Sequence, residues 1–267
     1  MTDTTTMGVA ESRGPEPATR WRLTAEFLDS CIQSAGRAFQ KGELVYLAMT
    51  SQIENPIRDR VAYEMHLKLM GTRLDVGREW TGLYAEDADG RPRRRKVDLA
   101  VVEKPKRRGS RIPLPEGVVE FKACYAHEAR SAGQLKKIYR GVHEDVVKSA
   151  AWGSAIMGEV FSVVLIPNLR IVTDRFPHQI MRKIEGKIRL DDFLRQIGEV
   201  GDEVTVREIS SRLSDLGPVR DGVIDAGSDS GVQVTVPYVI LGPVPVETYE
   251  NLPLLQLPQQ QRGRQKR

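Results

Sequence analysis

Two stretches decide the fold: residues 96–102, KVDLAVV, and residues 118–124, VVEFKAC. Both are rich in β-branched residues and long enough for a strand. Each also carries charge inside an apolar run, where an unpaired carboxylate is costly. Side chains alternate across a strand, so Glu120 and Lys122 point to one face and Val119, Phe121 and Ala123 to the other. The strand rise separates the Glu120 and Lys122 side chains by about 7 Å. Asp98 interrupts the earlier run. With the two strands as neighbours, Asp98 comes to lie beside Glu120 on one sheet face. The chain holds a second acidic-x-Lys triplet, Glu185-Gly186-Lys187, in a polar segment that reads as a helix end. Context, not the triplet, singles out residues 120–122.

Working outward, Asp89-Gly90 is a hairpin signal between KVDLAVV and a shorter β-type run, Trp80 to Ala85. A fourth run, Val160 to Ile166 (VFSVVLI), reads as a strand buried on both faces. Residues 127–155 read as helical, with Gly141 as the point of interruption. Upstream, Leu23, Phe27, Leu28, Cys31, Ile32 and Ala35 recur at helical spacing across 23–39. A further helix is expected over 56–70, with Asn55 as N-cap, Pro56 in the first helical position and Gly71 as the stop. The order helix, strand, strand, strand, helix, strand implies an α/β protein with a central mixed β-sheet flanked by helices. Beyond Asn168 the pattern suggests helices near 177–187, 190–198 and 205–214. Val232 to Leu241 reads as a strand in which Pro237 argues for an edge or a bulge.

The 267 residues suit one domain with appendages. Residues 1–20 are expected to be disordered, 21–200 to form the core, and 256–267 to be a basic disordered tail. Residues 201–255 would be an extension that completes the core or contacts DNA or a partner. With 40% hydrophobic and 28% charged residues, the chain belongs to the soluble globular class. Its longest apolar run is far short of the roughly 20 residues that span a bilayer. The polar N-terminus has no apolar core, so no secretory signal and a cytoplasmic setting are expected. Cys31 and Cys124 are too few for a disulfide scaffold or a cysteine zinc cluster. The four histidines are too scattered for a zinc helix motif.

The net charge of +4 is unevenly spread. Arg91, Arg93, Arg94, Arg95, Lys96, Lys104, Lys106, Arg107, Arg108 and Arg111 face only Asp98 and Glu103 within residues 91–111, so that segment is +8 and the rest −4. A solvated loop would account for this; so would a polyanionic partner.

Glu64 is a third anomaly. On the expected helix it shares a stripe about 100° wide with Ile57, Val61 and Met65, which should turn it toward the sheet. The plain alternative is a surface glutamate paired with Arg60 or Lys68. Three carboxylates and a lysine on one face have a chemical use. Hard oxygen ligands hold Mg²⁺, which keeps several waters. The metal acidifies a bound water and stabilises charge on a phosphate oxygen. A lysine can orient that water or stabilise developing negative charge. The basic loop between the two strands could grip a nucleic-acid backbone.

Asp98, then Glu120-Phe121-Lys122, with the preceding helical Glu64, resembles the PD-(D/E)XK superfamily of restriction-endonuclease-like nucleases. The likeness extends to element order and covers residues 23–167. It implies a metal-dependent nuclease hydrolysing DNA phosphodiesters, an endonuclease of restriction, defence or repair type, leaving a 5′-phosphate. Asp98 and Glu120 match the family's metal ligands, with the Phe121 carbonyl contributing. Lys122 matches the catalytic lysine and Glu64 the helical glutamate. The cofactor implied is Mg²⁺, with Mn²⁺ as a substitute, and the partner double-stranded DNA. A homodimer is what a double-strand cut by a single-site enzyme would need. Nucleic-acid contacts are expected from Arg93, Arg94, Arg95, Lys96, Lys106, Arg107, Arg108 and Arg111, and from Gln134 and Lys137 on the next helix. Val97 stands where the family often has proline. Tyr139 falls one place late for the Gln-x-x-x-Tyr signature of the exonuclease branch.

Two other readings stand beside this one: the same fold binding nucleic acid without cutting, and an unrelated α/β protein whose charges form ordinary salt bridges. His127 and Glu128 read as a helix start, and His143-Glu144-Asp145 as a solvated helix face. Trp80, Tyr125 and Trp152 read as core rather than base-stacking residues. Cys124 lacks the partners a thiol nucleophile needs.

Overall fold

A computed structural model describes residues 21–86, 92–105, 115–129, 132–150, 158–173, 181 and 202–244. Helix α1 (Ala25–Ala38) opens at Thr24, whose hydroxyl accepts from the Phe27 amide at 3.1 Å, as an N-cap should. Its stripe of Ala25, Leu28, Cys31, Ile32 and Ala35 is buried. Helix α2 (Glu43–Thr50) buries Leu44, Val45, Ala48 and Met49. Its short, nearly continuous apolar run hides the helical period, and sequence alone did not reveal it.

Helix α3 (Glu54–Leu69) begins two residues before the expected start, with Ile53 at the N-cap and no side-chain cap. Asn55 therefore lies inside the first turn instead of capping it. Pro56 also lies in that turn, where no intrahelical N–H is required. Ile57, Val61, Met65 and Leu69 form its buried ridge.

The strands are β1 (Leu74–Glu86), β2 (Pro92–Glu103), β3 (Pro115–Ala123), β4 (Glu159–Leu165), β5 (Asn168–Ile171), β6 (Val219–Asp229) and β7 (Val232–Val244). They form one mixed seven-stranded open sheet flanked by helices. β1, β2 and β3 run antiparallel in sequence order, and β4 is parallel to β3. Helices α4 (Ala126–Ala129) and α5 (Ala132–Ala150) make the crossover that a parallel pair needs. α5 continues through Gly141 without a break. The turn Asp89-Gly90, the loop 106–114 and the expected helices near 177–187 and 190–198 lie outside the described residues. The third expected helix is α6 (Asp202–Leu213).

Strand β7 is not an edge. It pairs with β6 along one side and with β4 and then β5 along the other. Pro237 is tolerated because it falls where β5 hands over to β4: Thr235 pairs with Asn168, and Tyr238 with Leu165. There the Ile166 amide donates to the Pro237 carbonyl at 2.8 Å, a bond that uses only the group proline retains.

Two apolar layers sandwich the sheet. α1, α2 and α3 cover the face bearing Leu99, Val101, Val119 and Phe121. α5 and α6 cover the face bearing Ala100, Val102, Val118 and Val164. Among the described residues no helix is long and apolar enough to cross a membrane.

Candidate active site

The β2–β3 ladder ends at the pair Leu99 and Val119. One step further, the antiparallel register sets Asp98 opposite Glu120. The strands part there, and the Asp98 side chain fills the gap. Its Oδ2 accepts from the Phe121 amide at 2.8 Å. A residue's N–H and C=O point to the same side of an extended strand, so the Phe121 carbonyl also opens toward Asp98. The alternation of β3 sends Glu120 and Lys122 to the α5 face, as the sequence implied.

That face is covered, not open. Glu120 is 5% exposed, and Lys148 of α5 reaches its Oε1 at 3.2 Å. Burial, with the nearby negative charges of Asp98 and Asp145, outweighs Lys148 and pushes the Glu120 carboxyl up to about 7. Lys122 Nζ lies 2.6 Å from Asp145 Oδ2. Burial opposes the Lys122 charge, but the Asp145 hydrogen bond and nearby carboxylates outweigh it and raise its pKa. Lys122 is thus a fixed cation. Asp145 is half-buried and anchors it, so it does not belong to a solvated helix face. Gly141 lies one turn before Asp145, where a Cβ would sit 3.8 Å from Lys122 Cε.

Glu64 does not join this cluster. Most of α3 lies on the sheet face opposite Glu120, and Glu64 instead bears electrostatically on Cys31 of α1. Only the first turns of α3 overhang the parting of β2 and β3, and the carboxylate they deliver is Glu54. It accepts from the Ala123 amide and feels both Asp98 and Lys122. Burial and then Asp98 raise its pKa. Ten residues separate Glu54 from Glu64, about 15 Å along a helix axis. An acid at a helix start reads as a dipole partner, so Glu54 drew no notice in the sequence. One turn on, Arg58 is 7% exposed and its Nη1 donates to Asp98 Oδ1 at 3.1 Å.

Glu54, Asp98, Glu120 and the Phe121 carbonyl are hard oxygen donors of the kind a divalent cation takes. Asp98 raises the pKa of both Glu54 and Glu120, so added positive charge would relieve their mutual repulsion. By donor chemistry the set suits a hard divalent cation such as Mg²⁺ or Mn²⁺. Among the described residues, no three His, Cys, Asp or Glu side chains are already gathered as a metal group. Arg58 and Lys148 hold Asp98 and Glu120 in separate ion pairs.

Gln134 and Lys137 are exposed on α5. At seven and four residues before Gly141 they extend the stripe that carries Asp145 and Lys148. Lys96 pairs with Glu79 at 2.9 Å. Arg93, Arg94 and Arg95 lie on the outer half of β2 opposite Leu83 to Ala85, and their side chains are outside the described set. Lys106, Arg107, Arg108 and Arg111 lie outside it altogether. Burial pushes both Cys31 and Cys124 up to about 12, which leaves no thiolate for nucleophilic work near neutrality. Tyr125 is buried and its hydroxyl donates to the Ala48 carbonyl at 2.6 Å, a structural use. Glu128 Oε2 accepts from the Tyr125 amide at 3.0 Å, as a helix-start residue does. No family model, curated protein or solved structure matches the chain.

Proposed function

We propose that the chain is a metal-dependent nuclease of the restriction-endonuclease-like class, hydrolysing phosphodiester bonds of double-stranded DNA. One observation carries the reading: Glu54, Asp98, Glu120 and Lys122 lie within electrostatic reach of one another where β2 and β3 part. Three carboxylates beside a fixed lysine suit phosphoryl chemistry. Glu54, Asp98, Glu120 and the Phe121 carbonyl would hold Mg²⁺ or Mn²⁺. When bound, the ion supplies an acidified water and stabilises charge on a phosphate oxygen.

The chain's own residues do the rest. Lys122, charged and braced by Asp145, orients the attacking water or stabilises the negative charge developing on phosphate. α5 and the apolar layer behind it keep bulk water from the Glu120 side, so these charges act in a low dielectric. The exposed Gln134–Lys137 stripe leads from Lys122 to solvent and suits contact with a phosphate backbone.

The test is plasmid cleavage by purified protein with Mg²⁺ or Mn²⁺, beside Lys122→Ala and an EDTA control. Metal-dependent cutting that the variant loses supports the reading. A second reading, nucleic-acid binding without cutting, is favoured by one feature: both oxygens of Asp98 are taken by protein donors, Arg58 and the Phe121 amide. No cutting of DNA, with salt-sensitive DNA binding retained, would decide for it.

A further inference from the structure

We propose that Arg58 is a reversible clamp on Asp98, which a divalent cation must displace to load the site; the inference rests on the nuclease reading. Arg58 is almost fully buried, so its charge must stay paired. It has more partners than it needs. Its Nε and Nη2 both bond Asp59 Oδ1, at 3.2 and 3.1 Å. Its Nη2 also lies 3.6 Å from Glu79 Oε1. Only Nη1 is committed to Asp98, at 3.1 Å. The guanidinium can therefore release Asp98 and remain neutralised by Asp59 and Glu79.

Asp98 is equally prepared. Without Arg58 it keeps the Phe121 amide on Oδ2 and frees Oδ1 for a metal. The alternative partners are themselves held in place. Arg78 fixes Asp59 at 2.8 Å, and Lys96 fixes Glu79 at 2.9 Å. Glu79, between the β1 residues that pair with Leu99 and Val97, takes a backbone φ of 48°, in the left-handed region that favours glycine. This strained residue presents its carboxylate to Arg58. The arrangement has two states with the same charges paired differently, which is what a small switch requires. Metal affinity is then set by the competition for Asp98, not by the donors alone.

The test is calorimetric titration of the full chain with Mn²⁺, for wild type, Arg58→Lys and Arg58→Met. Lysine keeps the charge but lacks the fork that spans Asp59 and Asp98. The clamp predicts about tenfold tighter Mn²⁺ binding in Arg58→Lys and at least as much in Arg58→Met. Tighter binding in Arg58→Met alone would show a general effect of charge and overturn the clamp. A second readout needs no variant beyond one for resonance assignment. The Arg58 guanidinium nitrogen resonances of wild type should shift as Mg²⁺ is added, and resonances unmoved at Mg²⁺ saturation would overturn the clamp. Absence of metal binding by every form overturns the nuclease reading along with it. Metal binding indifferent to Arg58 overturns the clamp alone.

Discussion

Two polar networks among the described residues are built differently. Under α1, the hydroxyl of the fully buried Tyr238 donates to Asp29 and accepts from Gln33 Nε2 at 2.6 Å. Gln33 also donates to the Val223 carbonyl at 3.0 Å, and Arg220 holds both Asp29 and Glu26 at 3.1 Å. Donors meet acceptors nearly one for one, and the network ties α1 to β6 and β7. At the parting of β2 and β3, the carboxylates of Glu54, Asp98, Glu120 and Asp145 answer to Lys122, Lys148 and an Arg58 shared with other acids. The surplus is negative, and burial first, with Asp98 and Asp145 after it, pushes Glu120 up to about 7. The hydrogen-bonded network of Tyr238 makes a joint between elements; the carboxylate-rich one keeps negative charge that a cation could answer.

The comparison breaks most visibly at Asp98. Asp98→Asn is expected to cut DNA cleavage on the order of a thousandfold, with DNA binding largely kept, as gel cleavage and mobility shift would show. A variant that cuts normally would remove Asp98 from the chemistry. Tyr238→Phe strikes the other network. It should cost about 1–2 kcal/mol of unfolding free energy, read by denaturant titration, while leaving the cleavage rate of folded protein unchanged.

Glu120→Gln sharpens the contrast through pH. The Glu120 carboxyl titrates at about 7 in the folded chain against an ordinary 4.5. Folding therefore favours its protonated form. The associated stability is fully present below the ordinary value and is lost as pH rises through about 7. In EDTA, Glu120→Gln should match wild type near pH 4.5 and unfold at a progressively higher temperature than wild type by about pH 8. A difference that does not vary with pH would mean the carboxyl is not so raised. The smallest effect is expected at the rim. Lys137→Ala should weaken DNA binding a few-fold regardless of sequence and lower the salt slope by about one. An unchanged slope would take Lys137 off the backbone path.

Asp98, Glu120 and Lys122 were legible because a charge inside a β-branched run has no cheap explanation. Their neighbours were not. Glu54, Arg58, Asp145 and Lys148 lie on helices, where charges are common and only the packed partner tells a buried one from a solvated one. Glu64 misled for the converse reason: the apolar stripe of α3 faces α1 as well as the sheet, so proximity to the stripe does not choose between them. In the fold, β2, β3 and β4 carried clear apolar runs, whereas β1 (LDVGREWTGLYAE) was read only over Trp80 to Ala85. β6, VRDGVIDAGSD, is mostly polar and gains its place from pairing with β7, a long-range partner that local pattern cannot reveal. Pro237 pointed to an edge or a bulge because the gap between β4 and β5 that accommodates it exists only in three dimensions.

The interior position of β7 bears on the order of assembly. Until residues 232–244 have been synthesised, β4 has a partner on one side only, and its other edge presents unpaired backbone N–H and C=O groups. β4 is in turn the parallel neighbour of the strand that carries Glu120 and Lys122. Such non-local closure makes folding slow relative to helix formation. It also makes the ordering of the site late in folding, since the strand that closes the sheet begins more than a hundred residues after Lys122. The carboxylate cluster beside β4 is thereby ordered only once the sheet has closed.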